Sequence, residues 1–235
     1  MSWREFWNGD NPIYVSERHH RLHCRRVADD TIALLGELGP GADRQRVLDF
    51  GCGRALDAAR VAEHCTRLVL ADSAPRVLEN LRERFGDHSR IEICPAAEIA
   101  HRYGQEFDFI LVNSVIQYLS GAELEALLAM LRDRLAADGR LVVADVLSSD
   151  STALTDASSL LAFAARGGFL VDAVVGLART AFSDYRKLRS QLGIARYDDA
   201  DLLAIFSAAG LEARRHRRNL GHNPWRGTFI ARPRS

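Results

Sequence analysis

Within VLDFGCGRA, residues 47–55, Asp49 closes a run of apolar residues, and Gly51 and Gly53 follow at alternate positions. Glycine lacks a Cβ and adopts positive φ freely, so a turn built this way lets backbone N–H groups come close to a ligand. The same letters fit a dinucleotide-binding turn or a plain strand-to-helix turn. The acid discriminates: a carboxylate two residues before the first glycine would repel a pyrophosphate and attract a cation. Nineteen residues after Gly53, Asp72 closes a second apolar run, where a carboxylate can accept both hydroxyls of a ribose. Taken singly, Asp49 also fits a turn cap, and Asp72 the cap of a helix starting near Pro75. Their joint spacing predicts a site for a nucleoside that carries positive charge.

The elements that must hold these residues follow from periodicity. Segments 46–50, 67–72, 90–94, 107–113 and 139–146 read as apolar strands, with helices over 55–65, 75–85 and 121–136. That alternation predicts a parallel sheet covered on both faces. Ahead of it, Ser16 to Gly36 reads as one helix capped by Ser16. After Val146 the pattern breaks, and residues 148–197 offer three helices and no strand, a helical insertion. A helix over Asp198–Ala209 follows, then strands at 211–218 and 228–233 joined by NLGHNPWRG, which close the sheet edge as a hairpin. The expectation is a single domain over 1–235, with an N-terminal helical cap at 1–44 and a lid at 148–197.

Thirty-one basic and 31 acidic side chains balance, so no global field gathers nucleic acid or an anionic membrane. Charges and two tryptophans in MSWREFWNGD stand where a signal peptide needs an apolar stretch. The longest apolar tract, Phe169–Phe182, is broken by Asp172 and Arg179 and falls short of the roughly 20 residues of a spanning helix. A cytoplasmic address without a membrane span is expected. Cys24, Cys52, Cys65 and Cys94 lack CxxC pairing and read as buried thiols. His19, His20, His23 and Cys24 put only two ligands on each helix face, so no metal site is expected. The arginines at 214, 215, 217 and 218 alternate across a strand and read as a solvated, charge-guarded edge.

In combination, VLDFGCGRA, Asp72, the segment NSVIQYL at 113–119 and ADGR at 137–140 resemble the class I S-adenosylmethionine-dependent methyltransferases. The resemblance covers roughly residues 45–147 and, loosely, the terminal hairpin. It implies an α/β, Rossmann-like, doubly wound seven-stranded sheet with its last strand antiparallel, and S-adenosyl-L-methionine as cofactor. Carried over position by position, it puts Asp49, Gly51 and Gly53 around the methionine part and Asp72 on the ribose. Ala97 and Glu98 fall by the adenine, and Asn113 with Ser114 near the sulfonium. Two positions depart from the family's pattern: Ala55 replaces the third glycine of the turn, and PAAE at 95–98 lacks the acid often found at the adenine amino group.

Ligands of open α/β sheets collect at the carboxyl ends of the strands. WNGDNPIYVSERHH, the 148–197 insertion and NLGHNPWRG are expected to overhang that edge, the last if the sixth strand runs parallel to the others. They bring Tyr14, His19, His20, His23, Tyr185, Tyr197, His222 and Asn223, with Gln117 and Tyr118 from NSVIQYL. His222 or His19 is the candidate base if the acceptor arrives protonated, and Tyr118 is a site contact or a core residue. Surplus apolar residues between Leu160 and Phe182 fit an acceptor cavity or a homodimer interface equally. The expected function is methyl transfer to an oxygen or nitrogen of a small, largely apolar metabolite, without a nucleic-acid partner. A nucleic-acid or protein methyltransferase, and a non-catalytic S-adenosylmethionine-binding module, stand as alternatives.

Overall fold

Val47 and Leu48 are adjacent and both buried, yet they serve different cores. Val47 joins Leu35, Val61 and Leu81, whereas Leu48 joins Leu124, Leu128 and Phe206. A strand sends successive side chains to opposite faces, so two apolar neighbours mean a sheet packed on both sides. A computed structural model describes residues 14–38, 45–180 and 193–234. Its elements run α1 (Glu17–Leu38), β1 (Arg46–Phe50), α2 (Ala58–Ala62), β2 (Arg67–Asp72), α3 (Pro75–Phe85), β3 (Ile91–Pro95) and α4 (Ile99–Arg102). β4 (Phe107–Asn113), α5 (Gly121–Arg132), β5 (Leu135–Val146), α6 (Ala153–Gly167), α7 (Leu170–Thr180), α8 (Asp199–Ala208), β6 (Leu211–Arg215) and β7 (Gly227–Pro233) follow.

The seven strands lie in the order β3-β2-β1-β4-β5-β7-β6. β7 is antiparallel to both β5 and β6, which leaves β6 parallel to the rest and brings the β6–β7 loop to their carboxyl edge. α1, α2 and α3 cover one face, and α5 and α8 the other. The reversal between β2-β1 and β4-β5 creates a crevice at that edge, where ligands of such sheets bind. Among the described residues no helix is long and apolar enough to cross a membrane.

Several boundaries differ from the periodicity reading. α2 is only five residues long, because Ala55 takes φ +39 and delays the helix. α5 ends at Arg132, since β5 starts at Leu135, opposite Phe107, and absorbs the extra length in a register shift between Phe107 and Phe109. β6 stops at Arg215, after which the His216 ring turns back to within 3.0 Å of the Arg218 carbonyl. Ser16 does cap α1, its Oγ accepting from His19 N–H at 3.3 Å.

The insertion starts with a Thr152/Thr155 capping box and turns at Gly168, φ +70. Its apolar surplus divides. Ala164, Phe169 and Ala173 form a small core with Val15 and Leu22 of the N-terminal segment, while Val171 and Val174 stand 76% and 55% exposed. The chain returns along β5, where Tyr197 N–H donates to the Leu147 carbonyl at 2.9 Å. Tyr185 and Phe182 lie outside the described residues, as does the expected cap at 1–44 except for 14–38.

Candidate active site

The carboxyl ends of β1, β2, β4 and β5 border one cleft of about 1920 Å³. Past Asp49 and Phe50 the chain turns through Gly51 at φ +73 and Gly53 at φ +56, conformations that cost other residues roughly 1–2 kcal/mol. The turn is tied to β2. Gly51 and Cys52 N–H donate to the Ala71 carbonyl at 2.8 and 3.1 Å. Gly53 N–H donates to Asp72 Oδ2 at 2.9 Å, and Ala74 N–H to Oδ1 at 2.9 Å. A carboxylate offers about four lone-pair positions, so Asp72 retains acceptor capacity for a ligand while holding the loop. The two glycines differ in what they accommodate. A Cβ at Gly51 would stand 2.5 Å from Val115 Cγ2, whereas among the described residues nothing lies within 4 Å of one at Gly53.

Asp49 and Asp72 end neighbouring parallel strands. Burial, reinforced by the Asp72 charge, raises the Asp49 carboxyl pKa to about 7. A cation in the cleft would draw it back to the ionised form.

The ends of β4 and β5 are also strained. Ser114 follows β4 at φ +58, and Asp145 takes φ +58 where the pairing of β5 with β7 slips between Val143 and Val146. The Ser114 hydroxyl donates to Asp145 Oδ2 at 2.5 Å, and Arg226 Nη1 donates to the same oxygen at 2.6 Å. Beside them the Oδ1 of Asn113 is buried without a hydrogen-bond partner among the described residues.

Opposite this edge sit Tyr14 and four histidines. Tyr14 stacks on His20 at 4.1 Å, His222 on Phe163 at 4.4 Å, and His19 on Phe169 at 5.1 Å. Burial lowers His19 to a pKa of about 3 and His20 and His222 to about 4, and also lowers His23. Neutral imidazoles have definite tautomers. His19 Nδ1 accepts from Val15 N–H at 3.3 Å, which places its proton on Nε2, a buried atom with no hydrogen-bond partner among the described residues. His19 is therefore an N–H donor, not the proton acceptor that its residue type allowed. His20 Nδ1 lies 3.2 Å from Arg54 Nη1; guanidinium only donates, so this ring too carries its proton on Nε2. His23 and His222 meet Nδ1 to Nδ1 at 3.4 Å. One ring must donate and the other accept, which leaves a lone pair on the Nε2 of only one of them.

The cleft thus gathers Asp49, Gly51, Gly53, Asp72, Ala97, Asn113, Ser114, Tyr118, His19 and His222. Glu98 is not on its wall: the side chain is 52% exposed and pairs with Arg102 at 3.3 Å, because the 3-10 turn Ala96–Glu98 points it along α4. Sequence reasoning passed over Asp145 and Arg226. Asp145 carried a signal, an acid at the carboxyl end of β5 as Asp49 and Asp72 are on β1 and β2. Arg226 had none, since its partner lies 81 positions away.

Comparison with known proteins agrees with this architecture. Residues 48–141 match the model of a family described as a methyltransferase domain. The chain is 34% identical over 151 residues to a Salinispora arenicola protein named as a nonribosomal peptide synthetase, CymA, covering 62% of this chain and 2% of that one. It is 26% identical over 137 residues to nodulation protein S of Rhizobium tropici, covering 58% and 52%. The chain therefore spans about half, or far less, of the curated relatives it matches. In fold it resembles magnesium protoporphyrin IX methyltransferase of Synechocystis, solved with S-adenosylhomocysteine, at a TM-score of 0.59 and 14% identity over 97% of this chain and 90% of that one. Residues 48–141 thus match a methyltransferase-domain family in sequence, and the seven-stranded fold around them is the one seen in the methyltransferase it resembles.

Proposed function

We propose that this protein methylates an oxygen or nitrogen of a small, largely apolar metabolite, with S-adenosylmethionine as donor. The observation that carries the reading is the pair Asp49 and Asp72, two carboxylates at neighbouring strand ends bordering one cleft. The residues present fit the cofactor. Gly53 leaves open space, Asn113 holds an unpaired buried carbonyl, and Asp72 keeps free lone pairs above a turn it orders. When bound, S-adenosylmethionine supplies a methyl group on a positively charged sulfur. In this reading Asp49 offsets that charge, Asp72 takes the ribose hydroxyls, and Asn113 with Ser114 borders the sulfonium. Ala97 lies by the adenine.

On the acceptor side, Tyr14 and the neutral imidazoles, with Phe163 stacked behind His222, exclude water and offer flat apolar faces, as small-molecule pockets do. His19 Nε2–H orients an acceptor oxygen or nitrogen, and Tyr118 supports it. The His23–His222 pair takes a proton only from an acceptor that brings one, through its single free Nε2. The described parts of the insertion, through Gly176 of α7 and Gly193–Ala195, border this half, and we read them as a lid within the single domain. Incubating the full chain with S-adenosylmethionine and a panel of small phenols, alcohols and amines, and following S-adenosylhomocysteine by mass spectrometry, tests the proposal. Acceptor-dependent release is expected; tight binding without release on any of them would favour a non-catalytic binder.

A further inference from the structure

Ser114 and Asp145 are two non-glycine residues in the left-handed region, side by side at the ends of adjacent parallel strands. Each conformation is unfavourable for a residue with a Cβ and persists only where its surroundings enforce it. Here the enforcing group is visible. Asp145 Oδ2 receives both the Ser114 hydroxyl at 2.5 Å and Arg226 Nη1 at 2.6 Å, and the backbone N–H of Asp145 donates to Asn219 Oδ1 at 3.2 Å. Arg226 immediately precedes β7, so the sheet edge itself delivers the guanidinium to this spot. The side chains of Arg226 and Asp145 are only 22% and 13% exposed, and a charge-assisted bond in such surroundings is about twice as strong as a neutral one. Through Nη2 the same guanidinium reaches Asp156 of α6 at 3.4 Å. Asn223 of the same loop holds Asp156 at 2.8 Å, so strand ends and roof share one anchor.

We propose that Arg226 is a positioning residue for methyl transfer: it holds Asp145, and through Asp145 the Ser114 hydroxyl, at the boundary between the cofactor and acceptor halves of the cleft. This rests on the methyl-transfer reading above for what that boundary does. Ser114 and Asn113 then owe their placement to a loop residue more than a hundred positions downstream, and not to local propensity.

The test is a double-mutant cycle read by calorimetry with S-adenosylhomocysteine on the full chain. Arg226→Gln and Ser114→Ala should each weaken binding about tenfold or more. Because both act through one hydroxyl, the double variant should bind no worse than Arg226→Gln alone. Arg226→Lys should recover little, since an ammonium lacks the two-pronged guanidinium geometry. Effects that multiply would mean that Arg226 touches the ligand independently, and a lowered melting temperature with affinity within twofold of wild type would mean a purely structural tie; either overturns the proposal. If Arg226→Gln does not fold, the same cycle with Arg226→Lys decides. Wild-type protein that failed to bind S-adenosylhomocysteine would overturn the functional reading instead. Amide hydrogen exchange at 114 and 145 would then still judge the clamp: faster exchange in Arg226→Lys supports it, and unchanged exchange overturns it.

Discussion

His23 on α1 and His222 in the β6–β7 loop stand 199 positions apart in sequence, with their Nδ1 atoms 3.4 Å apart in the fold. Together with His19 and His20 they form a layer that the protein holds neutral. Burial is the leading cause in each ring, and for His222 the neighbouring His23 adds to it. A folded-state pKa below the unfolded value of about 6.5 gives stability that is fully present above that pH. It is lost as pH falls through about 4. Asp49, raised to about 7, acts in the opposite sense, favouring the fold at low pH and losing that as pH rises through 7, but it is one group against four. The melting temperature should therefore drop between pH 6.5 and 4. Histidine Cε1–H titration by NMR checks the cause: His19, His20 and His222 are expected to titrate below pH 5, and values near 6.5 would show that they are not buried as a layer.

Asp49 predicts a second pH effect, on binding. Its carboxyl is half-protonated near neutrality, and only the ionised form attracts a sulfonium. Affinity for S-adenosylmethionine should rise severalfold from pH 6 to 8, while S-adenosylhomocysteine, with a neutral sulfur, changes less. Asp49→Asn should remove the difference in slope. Calorimetry with both ligands at three pH values reads it directly.

Asp72 has a ligand role and a structural one. Asp72→Ala removes a charge-assisted acceptor, weakening S-adenosylmethionine by about tenfold to a hundredfold, or roughly 1.5–3 kcal/mol. It also releases the N–H groups of Gly53 and Ala74, so the melting temperature should fall as well. Unchanged affinity in a folded variant would take Asp72 off the ribose.

The two glycines of the turn should fail differently. Gly51→Val meets the Val115 side chain in a left-handed backbone, so it should destabilise the β1–α2 connection whether or not ligand is present. Gly53→Ala points into open space and should cost folding only the roughly 1–2 kcal/mol of its φ, yet lose cofactor affinity by filling the cleft. Thermal melts paired with calorimetry separate the two, and a Gly53→Ala protein that binds normally would show that this turn does not approach a ligand.

Phe169 is 3% exposed and stacks on His19, so its truncation undocks the insertion from α1. Phe169→Ala should cost about 3–5 kcal/mol and bring the His19 titration back toward its ordinary range. A loss of mass in solution without either change would instead place Phe169 at an interface between copies.

The sheet was legible in the sequence because its determinants are local. Five apolar runs, the helical periods between them and the Asp49-Gly51-Gly53 turn are each set by residues within a few positions, and a buried parallel strand has little choice but to be apolar throughout. Asp72 was legible for the same reason, at the end of its own strand. Residue type alone could not say which histidine donates, because the His19 tautomer is set by the backbone N–H of Val15 and its neutrality by burial against Phe169. Nor could it say that Glu98 turns away to Arg102, or that a Cβ at Gly51 would meet Val115. The Ser114–Asp145–Arg226 network is wholly tertiary. It exists because strand order places β7 beside β5, so the loop before β7 delivers Arg226 to the ends of β4 and β5. Pairings of that kind depend on where distant segments meet, which the pattern of any one segment does not encode.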